Sequence, residues 1–262
     1  MSRIKSIFSS LKERNRKALI AYIVCGDPNN SSTLEAMEYM AKNGVDIIEI
    51  GVPFSDPMAE GPSIQRAHER SLKNNTSLEN ILALIGDFRK TNKTVGIVLM
   101  GYMNNFESMG AKEFSLKASE KGVDGIIVVD MPPEESNEFT EHTKLNDIDI
   151  IRLIAPTTEK ERIQKICNSA SGFIYFISLK GTTGSEKFNP IDVKENIKHL
   201  NEISTLPVVI GFGIKDKETI ESIKDLSDGV VIGSTLVDIL GKNGFGPEFK
   251  EKIDELYTAL VD

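Results

Sequence analysis

Two carboxylates in the first quarter of the chain could do proton chemistry. Glu49 lies near the C-terminal end of an apolar run, Asp46-Ile47-Ile48-Glu49-Ile50. Burying an ionised carboxylate among such residues is costly, and burial raises its pKa toward neutrality. A group poised there can both give and take a proton. The same position also suits a structural carboxylate, paired with Lys or Arg or satisfied by backbone N–H groups. The second acid, Glu60, lies in a segment running from Gly51 to Pro62 with Asp56 and three prolines. That composition predicts a shaped loop able to set Glu60 opposite Glu49. Asp56, just before Pro57, reads as a turn residue that bonds its own backbone.

Other segments could hold an anion. Ile210-Gly211-Phe212-Gly213-Ile214 and Ile232-Gly233-Ser234-Thr235 each close an apolar run, and the second runs into a helical pattern. Glycines let backbone N–H groups approach phosphate oxygens, a helix N-terminus favours negative charge, and Ser234 adds a hydroxyl. Gly181-Thr182-Thr183-Gly184 could form a third wall. Tight turns without a ligand are the alternative. Lys180 could in principle form a Schiff base, although loop lysines are usually solvated. His68, His142 and His199 fall in helical patterns as surface or partly buried side chains. None has metal-ligand spacing, so no metal site is indicated.

These residues need a scaffold. Eight apolar runs rich in Val and Ile recur: Leu19–Val24, Asp46–Ile50, Val95–Met100, Asp124–Asp130, Asp149–Ile154, Gly172–Ser178, Pro207–Ile210 and Gly229–Ile232. They resemble strands of a parallel sheet buried on both faces. Helical patterns lie between them. Thr76 with Glu79 and Thr158 with Glu161 have capping-box spacing at two helix starts. A weak repeat, Gly-Val-Asp at 44–46 and 122–124 and Ser-Asp-Gly at 227–229, leads into three of the strands.

Eight strands alternating with helices predict an α/β fold, a single (β/α)8 TIM barrel over residues 1–262. An open doubly wound sheet would carry a Gly-rich fingerprint after its first strand. Here that turn reads Cys25-Gly26-Asp27-Pro28. An extra N-terminal helix, with Ile4, Ile7, Phe8 and Leu11 on one face, is expected to cap the barrel bottom. Both long connections, after the second and sixth strands, then lie on the C-terminal face, where barrels do chemistry.

Composition narrows the partners. The 262 residues carry a formal charge of −8, spread along the chain, which disfavours a polyanion-binding surface. Cys25 and Cys167 read as buried free thiols of a reducing compartment. Without a signal-peptide pattern or a membrane-length apolar run, the chain is expected to be cytoplasmic.

The run from Asp46 to Gln65, DIIEIGVPFSDPMAEGPSIQ, resembles the signature region of the tryptophan synthase α-subunit family. The likeness extends through Gly26–Pro28, Tyr102 with Asn104, Val129–Pro132, Tyr175, Gly181–Gly184, Gly211–Ile214 and Gly233–Ser234, and so covers nearly the whole chain. The resemblance implies a carbon–carbon lyase. It would cleave indole-3-glycerol phosphate by a retro-aldol reaction, with no cofactor in this subunit. It places the catalytic acids on Glu49 and Glu60. Glu49 would protonate the indole ring carbon and accept a hydroxyl proton; Glu60 would engage the indole N–H. It implies substrate contacts from Tyr22, Leu99, Tyr175, Thr183, Gly184, Gly213, Gly233 and Ser234. It also implies a pyridoxal-phosphate β subunit as partner in an αββα assembly, docked on Pro53–Pro62, Asn104 and Asp130–Pro132.

Three departures from the family pattern stand out. Glu60 stands where the family usually has Asp, Tyr22 where it more often has Phe, and Leu179-Lys180 where a polar pair is usual. Two competing expectations follow. The chain could be another phosphosugar barrel enzyme using Glu49. It could also be a regulatory subunit that binds ligand without turnover, a reading favoured only by Glu60.

Overall fold

A computed structural model describes residues 2–177, 190–211 and 216–261. Helix α1 (Arg3–Glu13) precedes strand β1 (Ala18–Val24), α2 (Asn30–Lys42) and β2 (Ile47–Gly51). Then come α3 (Pro62–Lys73), α4 (Leu78–Thr91), β3 (Gly96–Gly101), α5 (Met103–Glu107), α6 (Ala111–Lys121) and β4 (Gly125–Val128). Next are α7 (Asn137–Leu145), β5 (Asp149–Ile150), β6 (Arg152–Ile154), α8 (Lys160–Ser169), β7 (Ile174–Ile177) and α9 (Pro190–Ile203). The chain ends with β8 (Val208–Gly211), α10 (Lys217–Ile223), β9 (Gly229–Ile232), α11 (Ser234–Asn243) and α12 (Pro247–Val261).

Every strand pairs in parallel, in the order β5-β4-β3-β2-β1-β9-β8-β7-β6. The two ends of that order are one stretch of chain. Only Ile151 separates β5 from β6, and its N–H donates to the Ile126 carbonyl at 2.9 Å. The ring thereby closes into the expected barrel. Alternation along the strands sorts the apolar residues into two layers. Ile20, Ile47, Val98, Ile127, Phe173, Val209 and Val231 fill the interior, while Ile48, Ile97, Ile126, Phe176, Ile210 and Val230 pack outward beneath the helices.

Helix α1 plugs the bottom. Ser2 caps it by accepting the Lys5 N–H. Its buried face, Ile4, Phe8 and Leu11, joins the interior cluster, with Phe8 tilted against Phe173 at 5.7 Å between centroids. The sequence repeat also has a structural cause. Asp46, Asp124 and Asp228 each accept an N–H from the first or second residue of the neighbouring strand, from Leu19 at 2.9 Å, Ile97 at 2.7 Å and Val208 at 2.9 Å. Arg89 adds a 2.7 Å ion pair to Asp124.

The two capping boxes expected from spacing are not formed. Helix α4 is capped one residue later than expected, by a box between Ser77 and Asn80. Thr76 is instead buried beneath the β1–α2 turn, where its hydroxyl lies against Gly26. In α8 the N-cap is Glu159, and the Thr158 hydroxyl accepts from Ala155 N at 3.1 Å. Cys25 is buried as expected, whereas Cys167 is only half-buried; both are free. Among the described residues no helix is long and apolar enough to cross a membrane.

Candidate active site

Strand alternation puts Glu49 inside the barrel mouth. It lies directly across from Tyr22 in the β1–β2 pairing, with Val98 on its other side. Only 1% of Glu49 is exposed, and among the described residues neither carboxyl oxygen finds a hydrogen-bond partner. A carboxylate left so would be strongly disfavoured. Burial, and secondly the charge of Glu60, push Glu49 up to about 8. The structural alternative, a carboxylate paired with Lys or Arg, finds no partner among the described residues.

Glu60 enters the same space from the loop after β2. It is 8% exposed, and burial pushes it up to about 7. The loop is held by side chains from helices on either side. Gln65 Nε2 donates to the Glu60 carbonyl at 2.9 Å, Ala59 N donates to Tyr102 Oη at 3.1 Å, and Asn105 Nδ2 donates to the Pro53 carbonyl at 3.0 Å. Phe54 stacks on Tyr102 at 4.9 Å. Asp56 is exposed, and its carbonyl rather than its side chain closes the turn, accepting from Met58 N at 2.8 Å. That corrects the side-chain turn expected there.

Two tyrosines wall the mouth. Tyr22 leans across β2 onto Gly51, and Tyr175 leans across β8 onto Gly211; a Cβ at either glycine would collide with the phenol oxygen. Glycine at both positions is therefore a packing requirement of the tyrosines. Burial, with the charges of Glu49 and Glu60, raises both phenols well above their ordinary range, so they are neutral donors.

Leu99 does not join this wall. It is fully buried in the outer layer beneath the helices. Its neighbour Met100 takes the inward place, opposite Gly51 and packed with Tyr22. A strand buried on both faces gives no alternation from which to choose between adjacent apolar residues. His68 was also misread from sequence. It is 2% exposed on α3, and its Nδ1 accepts the Phe54 N–H at 2.9 Å. Tyr102 was matched only through its segment, yet it both stacks on Phe54 and holds Ala59.

Gly233 is the N-cap of α11 and Ser234 its first residue, with no side-chain cap and no acid in the first turn. The free N–H groups and positive end of this helix suit an anion. A Cβ on Gly233 would lie 3.3 Å from Tyr22 Cδ1, so the helix terminus abuts the tyrosine wall. Thr183, Gly184, Gly213 and Lys180 lie outside the described residues.

Glu49 carries a thermodynamic signature. Its folded value, about 8, lies above the ordinary 4.5, so between those values the folded state binds the extra proton. Stability is then fully present below about pH 4.5 and is lost as pH rises toward 8. Glu49→Gln removes this loss. Its unfolding free energy should gain on wild type by roughly 2–4 kcal/mol from pH 5 to pH 9. Urea unfolding at both pH values checks this; a gap that does not change with pH contradicts it.

The family model described as tryptophan synthase alpha chain matches residues 8–259. A tryptophan synthase alpha chain of Marinobacter nauticus is 45% identical over 262 residues, covering 100% of this chain and 95% of that protein. The fold superposes with a TM-score of 0.92 on tryptophan synthase subunit alpha from Legionella pneumophila, at 34% identity over 99% of this chain and 98% of that one. It superposes with a TM-score of 0.90 on a chain of tryptophan synthase from Mycobacterium tuberculosis in its aminoacrylate-bound form, at 29% identity over 99% of this chain and 100% of that one. With this match spanning nearly every residue of the barrel and its mouth, the chain belongs to the tryptophan synthase alpha chain family.

Proposed function

We propose that the chain cleaves indole-3-glycerol phosphate to indole and glyceraldehyde 3-phosphate. The observation that carries this reading is a buried Glu49, unpartnered among the described residues, beside a second acid in a barrel mouth. Burial raises both acids, Glu49 to about 8 with the charge of Glu60 as second cause and Glu60 to about 7, so the pair retains a proton near neutrality. One proton shared by two carboxyls suits an acid and an anion. Glu49 gives its proton to the indole carbon that bears the glycerol chain. Glu60, as carboxylate, holds the indole N–H and balances the positive charge on the ring. Glu49, now ionised, takes the proton of the adjacent side-chain hydroxyl. The carbon–carbon bond breaks, its electron pair returns to the ring, and the hydroxyl carbon becomes the aldehyde. Glu49 ends protonated, as it began.

Tyr22 and Met100 would line the indole pocket, with Tyr175 beside the two acids. Gly233 and Ser234 would bind the phosphate, joined by Thr183, Gly184 and Gly213. A β subunit carrying pyridoxal phosphate would receive the indole in an αββα assembly. The exposed Met58, Asn104 and Asp130 on the same rim support that docking face. The three segments are laced together, since Met103 N donates to Asp130 Oδ1 at 2.7 Å and Asn105 holds Pro53.

The test is the purified chain with indole-3-glycerol phosphate, with and without a β subunit. Indole and glyceraldehyde 3-phosphate should form in equal amounts, faster with the partner. Ligand-dependent activation of the β subunit without any cleavage would mean a regulatory subunit. Turnover of another phosphosugar alone would mean a different barrel enzyme.

The phosphate subsite has its own expected result. Gly233→Val would push a branched side chain toward the Tyr22 ring or the mouth of α11. Losing one charge-assisted hydrogen bond costs about 1.5–3 kcal/mol, so KM should rise roughly tenfold to 100-fold, with unchanged circular dichroism. Steady-state kinetics check this, and a KM within twofold of wild type would remove Gly233 from the subsite.

A further inference from the structure

At the end of the barrel away from the mouth, a cavity of about 480 Å³ lies between α1, the end of α2 and the chain entering β2 and β3. Four cations line it. Arg3 and Arg14 stand at the two ends of α1, Arg16 just before β1 and Lys93 just before β3. Asp46 is the one acid among the described residues that line it, and it is already engaged. It accepts from Arg16 Nη2 and from the Leu19 N–H. The other terminal nitrogen of Arg16, Nη1, is buried with no partner among the described residues. This guanidinium is held in place by Tyr257, whose ring centroid lies 5.8 Å from its Cζ and whose ring is seated on Gly44. Arg3 donates to the Lys93 carbonyl at 2.9 Å and pairs with Asp124, which Arg89 shares. Arg14 and Lys93 are exposed and join none of the ion pairs among the described residues.

We propose that this cavity binds a compact anion carrying two or more negative charges on oxygen, of the phosphate or carboxylate class. The chain as a whole carries a formal charge of −8, so four cations around one acid are a local reversal of sign. A concave site with apolar walls, here Leu11, Val45 and Val95, focuses such a field. A long polyanion would have to extend over a chain of net negative charge, whereas one that fits inside the cavity meets only the reversal. A monoanion would leave charge unbalanced, because Arg14 and Lys93 both lack a counter-charge and Arg3 shares its own. Guanidinium groups match the paired oxygens of phosphate and carboxylate alike, and Ser10 and Thr94 add hydroxyl donors. Arg16 is fixed before any ligand arrives, which limits the ordering that binding must impose. The anion would join α1 to the entries of β1 and β3, so its binding stabilises the barrel by mass action. The site uses neither Glu49 nor Glu60 and is independent of the reaction proposed above.

The test is calorimetric titration of the full chain at low salt with pyrophosphate and, separately, with citrate. At least one should bind with a Kd below about 1 mM, and the one that binds assigns the class of the anion. At ten times its Kd it should raise Tm by about 2–5 °C. Arg14→Gln combined with Lys93→Gln changes two exposed side chains and should leave circular dichroism unchanged. It should weaken binding roughly tenfold or more, through the loss of two charge-assisted contacts, with each single variant giving part of that loss. Gly233→Val alters only the phosphate subsite proposed at the mouth, so it should keep the Kd within about twofold of wild type. Three results would overturn the proposal. One is that neither probe binds more tightly than about 1 mM, or that sodium chloride of equal ionic strength gives the same rise in Tm. Another is a Kd unchanged in the Arg14→Gln, Lys93→Gln chain. The third is binding lost in Gly233→Val and kept in that double variant, which would put the anion at the mouth.

Discussion

Glu49→Gln should reduce indole formation by at least a thousandfold while leaving the fold and phosphate binding in place. Acid–base catalysis by one positioned group is worth about 100- to 10,000-fold. Glu49 is asked to act twice in each cycle, first as acid and then as base, so the upper part of that range applies. Glutamine matches the shape of the protonated side chain but neither gives nor takes the proton. Among the described residues no partner is stranded by the change, because neither oxygen of Glu49 is bonded. The measurement is kcat at pH 7.5 with saturating substrate and β subunit. A value within tenfold of wild type would remove Glu49 as the acid and base.

Glu60→Ala should lower kcat by roughly 100-fold, as expected when a preorganised charge opposite a developing cation is removed. Glu60 could have pointed to solvent, leaving a single-acid mechanism, but it is buried and its charge acts on Glu49. Nor does a loose loop accommodate its extra methylene. Tyr102, Gln65 and Asn105 hold the loop on both sides, so the longer side chain is fitted by its surroundings. Glu60→Asp should therefore keep measurable activity but fall below wild type, because a shift of about 1 Å can cost about 100-fold. Steady-state kinetics of the two variants check both expectations. A Glu60→Ala kcat near wild type would take Glu60 off the catalytic list.

The barrel was legible in the sequence because strands buried on both faces appear as apolar runs, and eight of them alternated with helical patterns. The same double burial hid which way each residue faces. Glu49 could be placed inward because a charge in such a run demands a reason, whereas Leu99 and Met100 look alike: the resemblance points to Leu99, and it is Met100 that packs at the mouth. His68 carries no local mark of its role, since its two partners come from β1 and the loop after β2. The capping boxes failed for a related reason: Thr76 was drawn into packing against Gly26, and Ser77 took its place. The three aspartates beneath the barrel were visible only as a repeat until their strand partners were known.

A neutral Glu49 beside an anionic Glu60 is the feature on which the mechanism turns, and infrared titration of the protonated-carboxyl band reads it directly. Wild-type chain should show a buried carboxylic acid C=O band that persists through neutrality and disappears with a midpoint near pH 8, and that is missing in Glu49→Gln. A band lost below pH 6, or one that survives in Glu49→Gln and vanishes in Glu60→Gln, would contradict the assignment of Glu49 as the acid.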